Sequence, residues 1–206
     1  MQWLKESEYL LNPPKTKRGW DTLEKICKAA EREFSEKGFS NVSVVDITQS
    51  AQIAAGTFYI YFDSKLAMYK YLLKSYYHDI RMNIQKQVEG VSSREEQEAI
   101  GLRYWFDYVD KHHFVFNIAW ESFFIDKELF DEYYTSFGQA YSSRLQRAQE
   151  NGEVRDIDLE VLSFSLIGIS NFLALHWVVF KKKNHYDYVR DEAMKLLREG
   201  MFINHK

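Results

Sequence analysis

Hydrophobic side chains recur along most of this chain at spacings of three, four and seven residues, which is the period of an amphipathic α-helix. The clearest case covers residues 20–37, and Gly38 follows it where a left-handed C-terminal cap is expected. The only two prolines are adjacent, at Pro13 and Pro14, so the rest of the chain lacks the strongest helix breaker. Further helices are predicted over residues 44–51, 54–61, about 64–88, 94–111, 113–124, 127–149, 159–182 and 187–200. The predicted fold class is therefore all-α.

Two of the predicted helices are short and follow the first long helix with a tight connection between them. This order of elements, with residues 44–51 and 54–61 as the short pair, is typical of a helix-turn-helix DNA-binding motif. Ser43 and Asp46 form the pattern of a capping box, which predicts the start of the first short helix. The second short helix would be the recognition helix.

The predicted recognition helix carries the residue types that contact with DNA requires. Ala55 and Gly56 near its start are small, so the backbone can approach the duplex closely. Thr57, Tyr59 and Tyr61 supply groups that can hydrogen-bond to bases or phosphates. The sequence therefore predicts that this helix enters the major groove.

A plainer interpretation of the two tyrosines is that they are mixed core and surface residues. Phe58 and Phe62 already occupy the i, i+4 core stripe, however, so we expect Tyr59 and Tyr61 to point away from the core. Tyrosines on a solvent face close to Lys65 fit contact with phosphate better than packing.

The string GTFYIYFDSK at residues 56–65, preceded by Gly38-Phe39 and a capped short helix, strongly resembles the DNA-binding domain of the TetR (tetracycline-repressor-like) family. The resemblance covers roughly residues 20–70, together with the overall length and the helical remainder. Beyond residue 90 the resemblance is limited to the all-helical architecture.

The resemblance implies roles for individual residues of this chain. Ser43 would cap the second helix and meet a phosphate, and Thr57 and Tyr59 would face the major groove. Tyr61 would bond a phosphate, and Lys65, at the positive end of the fourth helix, would pair with another. Ala55 and Gly56 would form the tip that meets the DNA.

Three positions depart from the usual pattern of that family. Gln52 stands where a glycine is common, which strains the turn if it needs a positive φ. Ala54 replaces the usual serine or threonine cap, which costs roughly 1 kcal/mol of helix stability. Val45 takes the place of a polar base-reading residue, so the second helix would contribute little specificity.

Residues 100–180 are rich in aromatic residues, and 17% of the whole sequence is aromatic. Most of these residues are expected in the core or a dimer interface, and some would line an apolar cavity for a small molecule. Asn171 and His176 could be polar groups in that cavity, or simply satisfied buried or interfacial groups. Glu121 could favour a cationic ligand, or lie at the surface. The predicted pocket consists of Trp105, Tyr108, Phe116, Trp120, Phe124, Asn171 and His176.

Other classes of function find little support in the sequence. It has no phosphate loop, no nucleophile elbow and no metal-binding spacing, and adjacent His112 and His113 point apart on a helix. We therefore expect no enzyme activity, no cofactor and no metal site.

The chain has a single cysteine, Cys27, which is consistent with a protein of the reducing cytoplasm. We expect its side chain to pack in the core without a chemical role. The apolar segment 161–180 contains five polar residues and fits a buried or dimer-forming helix better than a membrane span.

These observations predict three parts: an N-terminal arm at residues 1–18, a three-helix helix-turn-helix domain at 19–66, and a larger helical ligand-binding and dimerisation domain at 67–206. In the family that the sequence resembles, the last two long helices pair with the same two helices of a second subunit. The predicted function is a ligand-responsive transcriptional regulator. As a homodimer it would bind a palindromic double-stranded DNA operator and release it on binding a small, largely apolar or aromatic effector. The net charge of −3 is the main argument against DNA binding. The alternatives are an activator, or a helical ligand carrier or interaction protein without DNA binding.

Overall fold

The computed structural model describes residues 8–181 and 186–203. Within these ranges the chain is built from α-helices joined by short connections. In chain order they are α1 Lys17–Lys37, α2 Val44–Ser50, α3 Ala55–Tyr61, α4 Lys65–Gln87, α5 Arg94–Lys111, α6 His113–Ile125, α7 Lys127–Glu150, α8 Leu159–Leu173 and α9 Asp187–Gly200. The predicted all-α fold is confirmed, and every predicted helix end except that of α8 lies within about three residues of the observed one.

The first helix begins earlier than the hydrophobic pattern indicated. The Thr16 hydroxyl accepts a hydrogen bond from the Gly19 N–H at 3.1 Å, which makes Thr16 the N-cap. Lys17 and Arg18, the last two residues of the predicted N-terminal arm, are therefore the first two residues of α1. Lys15 precedes the helix.

The apolar helix α8 is not regular throughout. After Leu173 the backbone continues as a π-helical turn, Ala174–Phe180. The Trp105 indole N–H donates to the Ser170 carbonyl at 3.2 Å, just before this turn. The expectation of one regular helix as far as Lys182 is wrong in this stretch, and Lys182 lies outside the described residues.

The described chain divides into two compact units. The first contains the chain up to His78 together with Phe114–Asp131, and the second contains Asp79–His113 and the chain from Glu132 onwards. The boundary therefore falls within α4, at the start of α6 and within α7, and α6 after His113 belongs to the first unit. The three functional parts expected from the sequence do not coincide with these units, and their boundaries remain a prediction.

Helix α6 packs onto the N-terminal helices of the first unit. The hydroxyl of buried Tyr69 on α4 donates to the Ile118 carbonyl on α6. Lys70 Nζ lies 2.8 Å from a carboxylate oxygen of Asp126, which follows α6. The aromatic ring of Tyr69 also contacts Phe34 of α1 edge-on at 5.5 Å between centroids. The helix-turn-helix is thus supported by α6 as well as by α1 and α4.

The second unit has its own apolar core, which includes Leu145 of α7, Leu166 of α8 and Met194 of α9. A buried ion pair lies beside it, between Arg94 and Glu98 in the first turns of α5. The Tyr141 hydroxyl donates to the same Glu98 carboxylate at 2.5 Å. Burial is the main cause that raises the pKa of Tyr141, and the neighbouring Glu98 charge adds to it.

Candidate nucleic-acid interface

Helix α2 begins with the capping box that the sequence predicted. The Asp46 N–H donates to the Ser43 hydroxyl at 3.1 Å, and the Ser43 N–H donates to the Asp46 carboxylate at 2.7 Å. The Ser43 hydroxyl also donates to this carboxylate at 2.5 Å, and these bonds lower the pKa of Asp46. The role of Ser43 as a cap is confirmed. To contact a phosphate as predicted, the Ser43 hydroxyl or N–H would have to break its hydrogen bond to the Asp46 carboxylate.

The turn between α2 and α3 has the backbone conformation that the sequence pattern suggested. Gln52 has a φ of 55°, in the left-handed region where a side chain is unfavourable. The next residue, Ile53, donates its N–H to the Thr48 carbonyl at 3.0 Å and closes the turn. Glutamine therefore occupies a position where glycine would be less strained.

The tip of the recognition helix α3 is open to solvent. Ala54 is its N-cap and makes no side-chain hydrogen bond, as expected for alanine. Ala55 and Gly56 are exposed, and a Cβ atom at Gly56 would meet nothing within 4 Å. The side chain of Thr57 is half-buried, and Tyr59 is 52% exposed. The small residues and two of the predicted hydrogen-bonding side chains thus share one short, accessible segment.

Tyr61 does not have the orientation expected from the sequence. Its side chain is only 7% exposed, and its hydroxyl donates to the Gly19 carbonyl at 3.3 Å. Phe58 and Phe62 are fully buried as predicted, but they do not exclude Tyr61 from the core, because the start of α1 packs over it. The expectation that Tyr61 faces solvent is wrong, and its hydroxyl donates its hydrogen bond to another part of the same chain.

Lys65 is held by the loop that precedes α2. Its ammonium group donates to the Phe39 and Val42 carbonyls, both at 2.6 Å, and lies 4.2 Å from the centroid of the Phe39 ring. Burial lowers the pKa of Lys65, while the charges of Glu121 and Asp46 act in the opposite direction. A lysine has three donors, so one N–H remains for the predicted phosphate contact.

Glu121 fixes the same loop from the other side. Its carboxylate accepts the Phe39 N–H at 2.7 Å, and a Cβ atom at Gly38 would lie 3.0 Å from the same oxygen. Gly38 also has a φ of 77°, so the loop needs glycine here for both reasons. Neither of the two roles expected for Glu121 from the sequence, near a cationic ligand or at the surface, included this contact.

A second contact that the sequence did not indicate involves the chain before α1. The Leu11 N–H donates to the Tyr61 carbonyl at 2.9 Å, and the Asn12 side-chain amide donates to the Ile60 carbonyl at 2.7 Å. Pro14 is buried, and a Cβ atom at Gly19 would approach its Cβ to 3.0 Å. The only local signal was the Asn-Pro-Pro sequence, which marks a turn but not its partner.

The residues of the predicted ligand pocket are divided between the two units. Trp105, Tyr108, Asn171 and His176 belong to the second unit. The Trp105 ring stacks on Tyr108 with centroids 6.4 Å apart, and Asn171 is half-buried. His176 is exposed, so the expectation that it is a polar group inside an apolar cavity is wrong for the single chain.

The other three pocket residues, Phe116, Trp120 and Phe124, lie on α6 in the first unit. Phe116 is buried and stacks on the more exposed Trp120 at 6.1 Å between centroids. Phe124 is 85% exposed, which contradicts its predicted place in an enclosed site. The aromatic pattern identified candidate residues but not which of them are enclosed.

Comparison with known proteins gives matches to both the motif and the fold. The family model described as "Bacterial regulatory proteins, tetR family" matches residues 26–72. The HTH-type transcriptional repressor KstR2 of Rhodococcus jostii (strain RHA1) is 26% identical over 179 residues, covering 84% of this chain and 87% of the relative.

Two solved structures share the fold at low sequence identity. The fatty acid degradation regulator FadR of Bacillus halodurans has a TM-score of 0.78 at 19% identity and covers 89% of this chain and 96% of its own. The FadR of Bacillus subtilis in complex with stearoyl-CoA has a TM-score of 0.73 at 19% identity and covers 86% and 98%. The exposed helix-turn-helix, the family match over it and relatives named as transcriptional regulators agree: residues 26–72 match the tetR family of bacterial regulatory proteins, and most of the chain is similar to HTH-type transcriptional regulators.

Proposed function

We propose that this protein is a dimeric, cytoplasmic transcriptional repressor that binds a near-palindromic operator and releases it on binding a small, largely apolar or aromatic molecule. The observation that carries the proposal is the exposed tip of α3, where Ala55 and Gly56 leave the backbone open beside Thr57 and Tyr59. Thr57 and Tyr59 would contact the major groove, and Ser43 and the remaining N–H of Lys65 would contact phosphates.

The dimer would form through α8 and α9, which expose large apolar side chains. Phe172 of α8, Phe180 at the end of the π-helical turn that follows it, and Tyr188 and Leu196 of α9 are each more than half exposed. The segment Leu159–Phe180 is long and apolar enough to span a membrane by length and composition, and only 28% of its most apolar window is buried. Pairing with a second copy would bury this surface, and a two-fold axis would present two recognition helices to one duplex.

The class of effector is supported by the aromatic composition of the chain and by its relatives. The stacked pair of Trp105 and Tyr108 provides flat apolar surface in the second unit. Among the structural neighbours, one was solved with stearoyl-CoA and another, from Saccharomonospora viridis, with choline. We infer a ligand with a substantial apolar portion, for which stearoyl-CoA is a suitable first probe.

Release of DNA would follow from a change in α4 or α6. Helix α4 is continuous from Lys65, which holds the loop before α2, to Gln87 in the second unit. Helix α6 holds the same loop through Glu121. A ligand that binds one position of these helices more tightly than another would change the placement of α3 and so the affinity for the operator.

The proposal is tested by selecting duplexes from a random pool with the purified protein and titrating the selected duplex at several salt concentrations. We expect a saturable complex whose affinity falls as salt rises, because lysine and arginine contacts release counterions. Thr57→Ala should weaken the selected complex, and Thr135→Ala on α7 is the matched control. Absence of any saturable complex would favour a ligand carrier without DNA binding.

The dimer has a separate test by sedimentation. Phe172→Glu places a charge on the exposed apolar face of α8 and should shift the wild-type dimer towards a monomer. Met82→Glu changes another exposed apolar side chain, on α4, and should leave the mass unchanged. A wild-type monomer, or a Phe172→Glu dimer, would contradict this interface.

A further inference from the structure

The recognition helix α3 has only seven residues, so it has little stability of its own. Its N-cap is Ala54, which offers no side-chain acceptor to the first N–H groups. A helix also leaves its last carbonyls without partners inside the helix. The conformation of α3 therefore depends on contacts from other parts of the chain.

The missing donors at the end of α3 come from residues 8–14, which we call the N-terminal clamp. The Asn12 side-chain amide donates to the Ile60 carbonyl at 2.7 Å, and the Leu11 backbone N–H donates to the Tyr61 carbonyl at 2.9 Å. Two consecutive carbonyls are thus satisfied by two consecutive residues nearly fifty positions earlier.

The clamp is itself fastened to the first unit at several points. Leu10 and Pro14 are buried, although Leu11 between them is exposed. Lys74 Nζ lies 2.6 Å from a Glu8 carboxylate oxygen and 4.7 Å from the centroid of the Tyr9 ring. The ion pair is largely exposed and weak on its own, so the buried residues and the two backbone-directed hydrogen bonds carry most of the attachment.

The start of α1 extends the same contact. The Tyr61 hydroxyl donates to the Gly19 carbonyl at 3.3 Å, so the first turn of α1 lies against the last residue of α3. Lys15, Lys17 and Arg18 are exposed at this point, and the first turn of α1 contains no acidic residue. The clamp therefore also fixes where these three positive charges lie relative to the recognition helix.

We propose that the N-terminal clamp is a specificity-determining element, in which Leu11 and Asn12 act as positioning residues that fix the C-terminal end of the recognition helix. This inference rests on the proposed DNA-binding function. Specific readout requires side chains placed to within a fraction of an ångström, whereas non-specific attraction to phosphates tolerates motion. Loosening the clamp should therefore reduce discrimination between sequences more than it reduces general affinity for DNA.

Two pairs of variants isolate the two hydrogen bonds. Leu11→Pro removes the backbone donor, and Leu11→Ala keeps it while shortening an exposed side chain. Asn12→Ala removes the amide donor, and Asn83→Ala is its control, because Asn83 donates to the Asp79 carbonyl at 2.8 Å on α4. The full-length protein is used throughout, with the duplex selected by the wild type and a random duplex of equal length.

Leu11→Pro and Asn12→Ala should each weaken binding to the selected duplex about fivefold to tenfold and change binding to the random duplex less than about twofold. Amide hydrogens of α3 should exchange faster in both, while those of α5 and α9 remain as in the wild type. The two controls should match the wild type in all three measurements.

Three results would overturn the inference in different ways. If the wild type binds its selected duplex and Leu11→Pro and Asn12→Ala discriminate equally well, the clamp has no role in specificity and the DNA-binding function stands. If the wild type binds no duplex, the proposed function fails, and the role of the clamp in recognition fails with it. Faster exchange throughout the protein would show a general loss of stability and would also contradict a positioning role.

Discussion

Glu121 and Phe39 are 82 positions apart in the chain, yet the Glu121 carboxylate accepts the Phe39 N–H at 2.7 Å. The carbonyl of the same Phe39 accepts from Lys65 Nζ at 2.6 Å. The loop before the helix-turn-helix is therefore held from two sides, by an acidic residue of α6 and a basic residue of α4. Its position, and with it the start of α2, depends on both helices.

Removing the Glu121 carboxylate should destabilise the first unit. Glu121→Ala leaves the partly buried Phe39 N–H without its acceptor, which we expect to lower the free energy of unfolding by about 1–3 kcal/mol. Urea denaturation followed by circular dichroism measures this value. Asn117→Ala, at an exposed site on the same helix, is the control, and equal midpoints for the two variants would contradict the role of Glu121.

Relieving the backbone at Gln52 should stabilise the protein. Gln52→Gly removes the side chain from a residue at a φ of 55° and should raise the free energy of unfolding by about 0.5–1 kcal/mol, after allowing for the greater freedom of glycine in the unfolded chain. Gln49→Gly, inside α2, should instead lower it by about 0.5–1 kcal/mol. A loss of stability in both variants would show that the turn is not strained.

The capping box should make stability depend on pH in the acid range. The pKa of Asp46 is lowered in the folded protein from its ordinary 3.8, chiefly by the Ser43 hydroxyl and then by the Ser43 N–H. The stabilisation is thus complete above the unfolded pKa and is lost as pH falls through the lower folded pKa. The gap in urea midpoint between wild type and Asp46→Asn should be constant near neutral pH and shrink below about pH 4. A gap that does not change with pH would contradict this.

Close packing of α7 on α8 should make Gly138 intolerant of a side chain. A Cβ atom at Gly138 would lie 2.9 Å from Cε2 of Phe164. We expect Gly138→Ala to lower the free energy of unfolding by about 1–2 kcal/mol, since the cost of overpacking exceeds the gain in helix propensity. At Gly101, within α5, a Cβ atom would lie 3.9 Å from Ile84, an ordinary contact. Gly101→Ala should therefore be neutral or stabilising by up to about 1 kcal/mol, and a Gly138→Ala variant of equal stability would contradict the packing argument.

The helices and the recognition motif could be predicted from the sequence because their signals are local. The 3.6-residue period, the box of Ser43 and Asp46, and the small residues before Thr57 all lie within one or two turns of the elements they define. Even the conformation of Gln52 follows from its place in the turn. Such features depend on a few neighbouring side chains, and the structure confirms them.

The expectations from the sequence that proved wrong concern contacts between distant segments of the chain. Tyr61 is buried because Gly19 and Leu11 meet it, and no periodicity within α3 indicates their approach. The predicted ligand pocket included two exposed residues for a related reason, since aromatic content does not say which side chains are enclosed. Phe124 and His176 carry the expected chemistry but are exposed in the single chain.

The role of α3 in operator recognition can be tested by comparing the affinity of wild type and Tyr59→Ala for the selected duplex and for a random duplex at one salt concentration. We predict that Tyr59→Ala loses about tenfold or more on the selected duplex and much less on the random one, because the proposed role of Tyr59 is to contact base edges. Equal losses on both duplexes, or no loss on either, would contradict the assignment of α3 as the helix that recognises the operator.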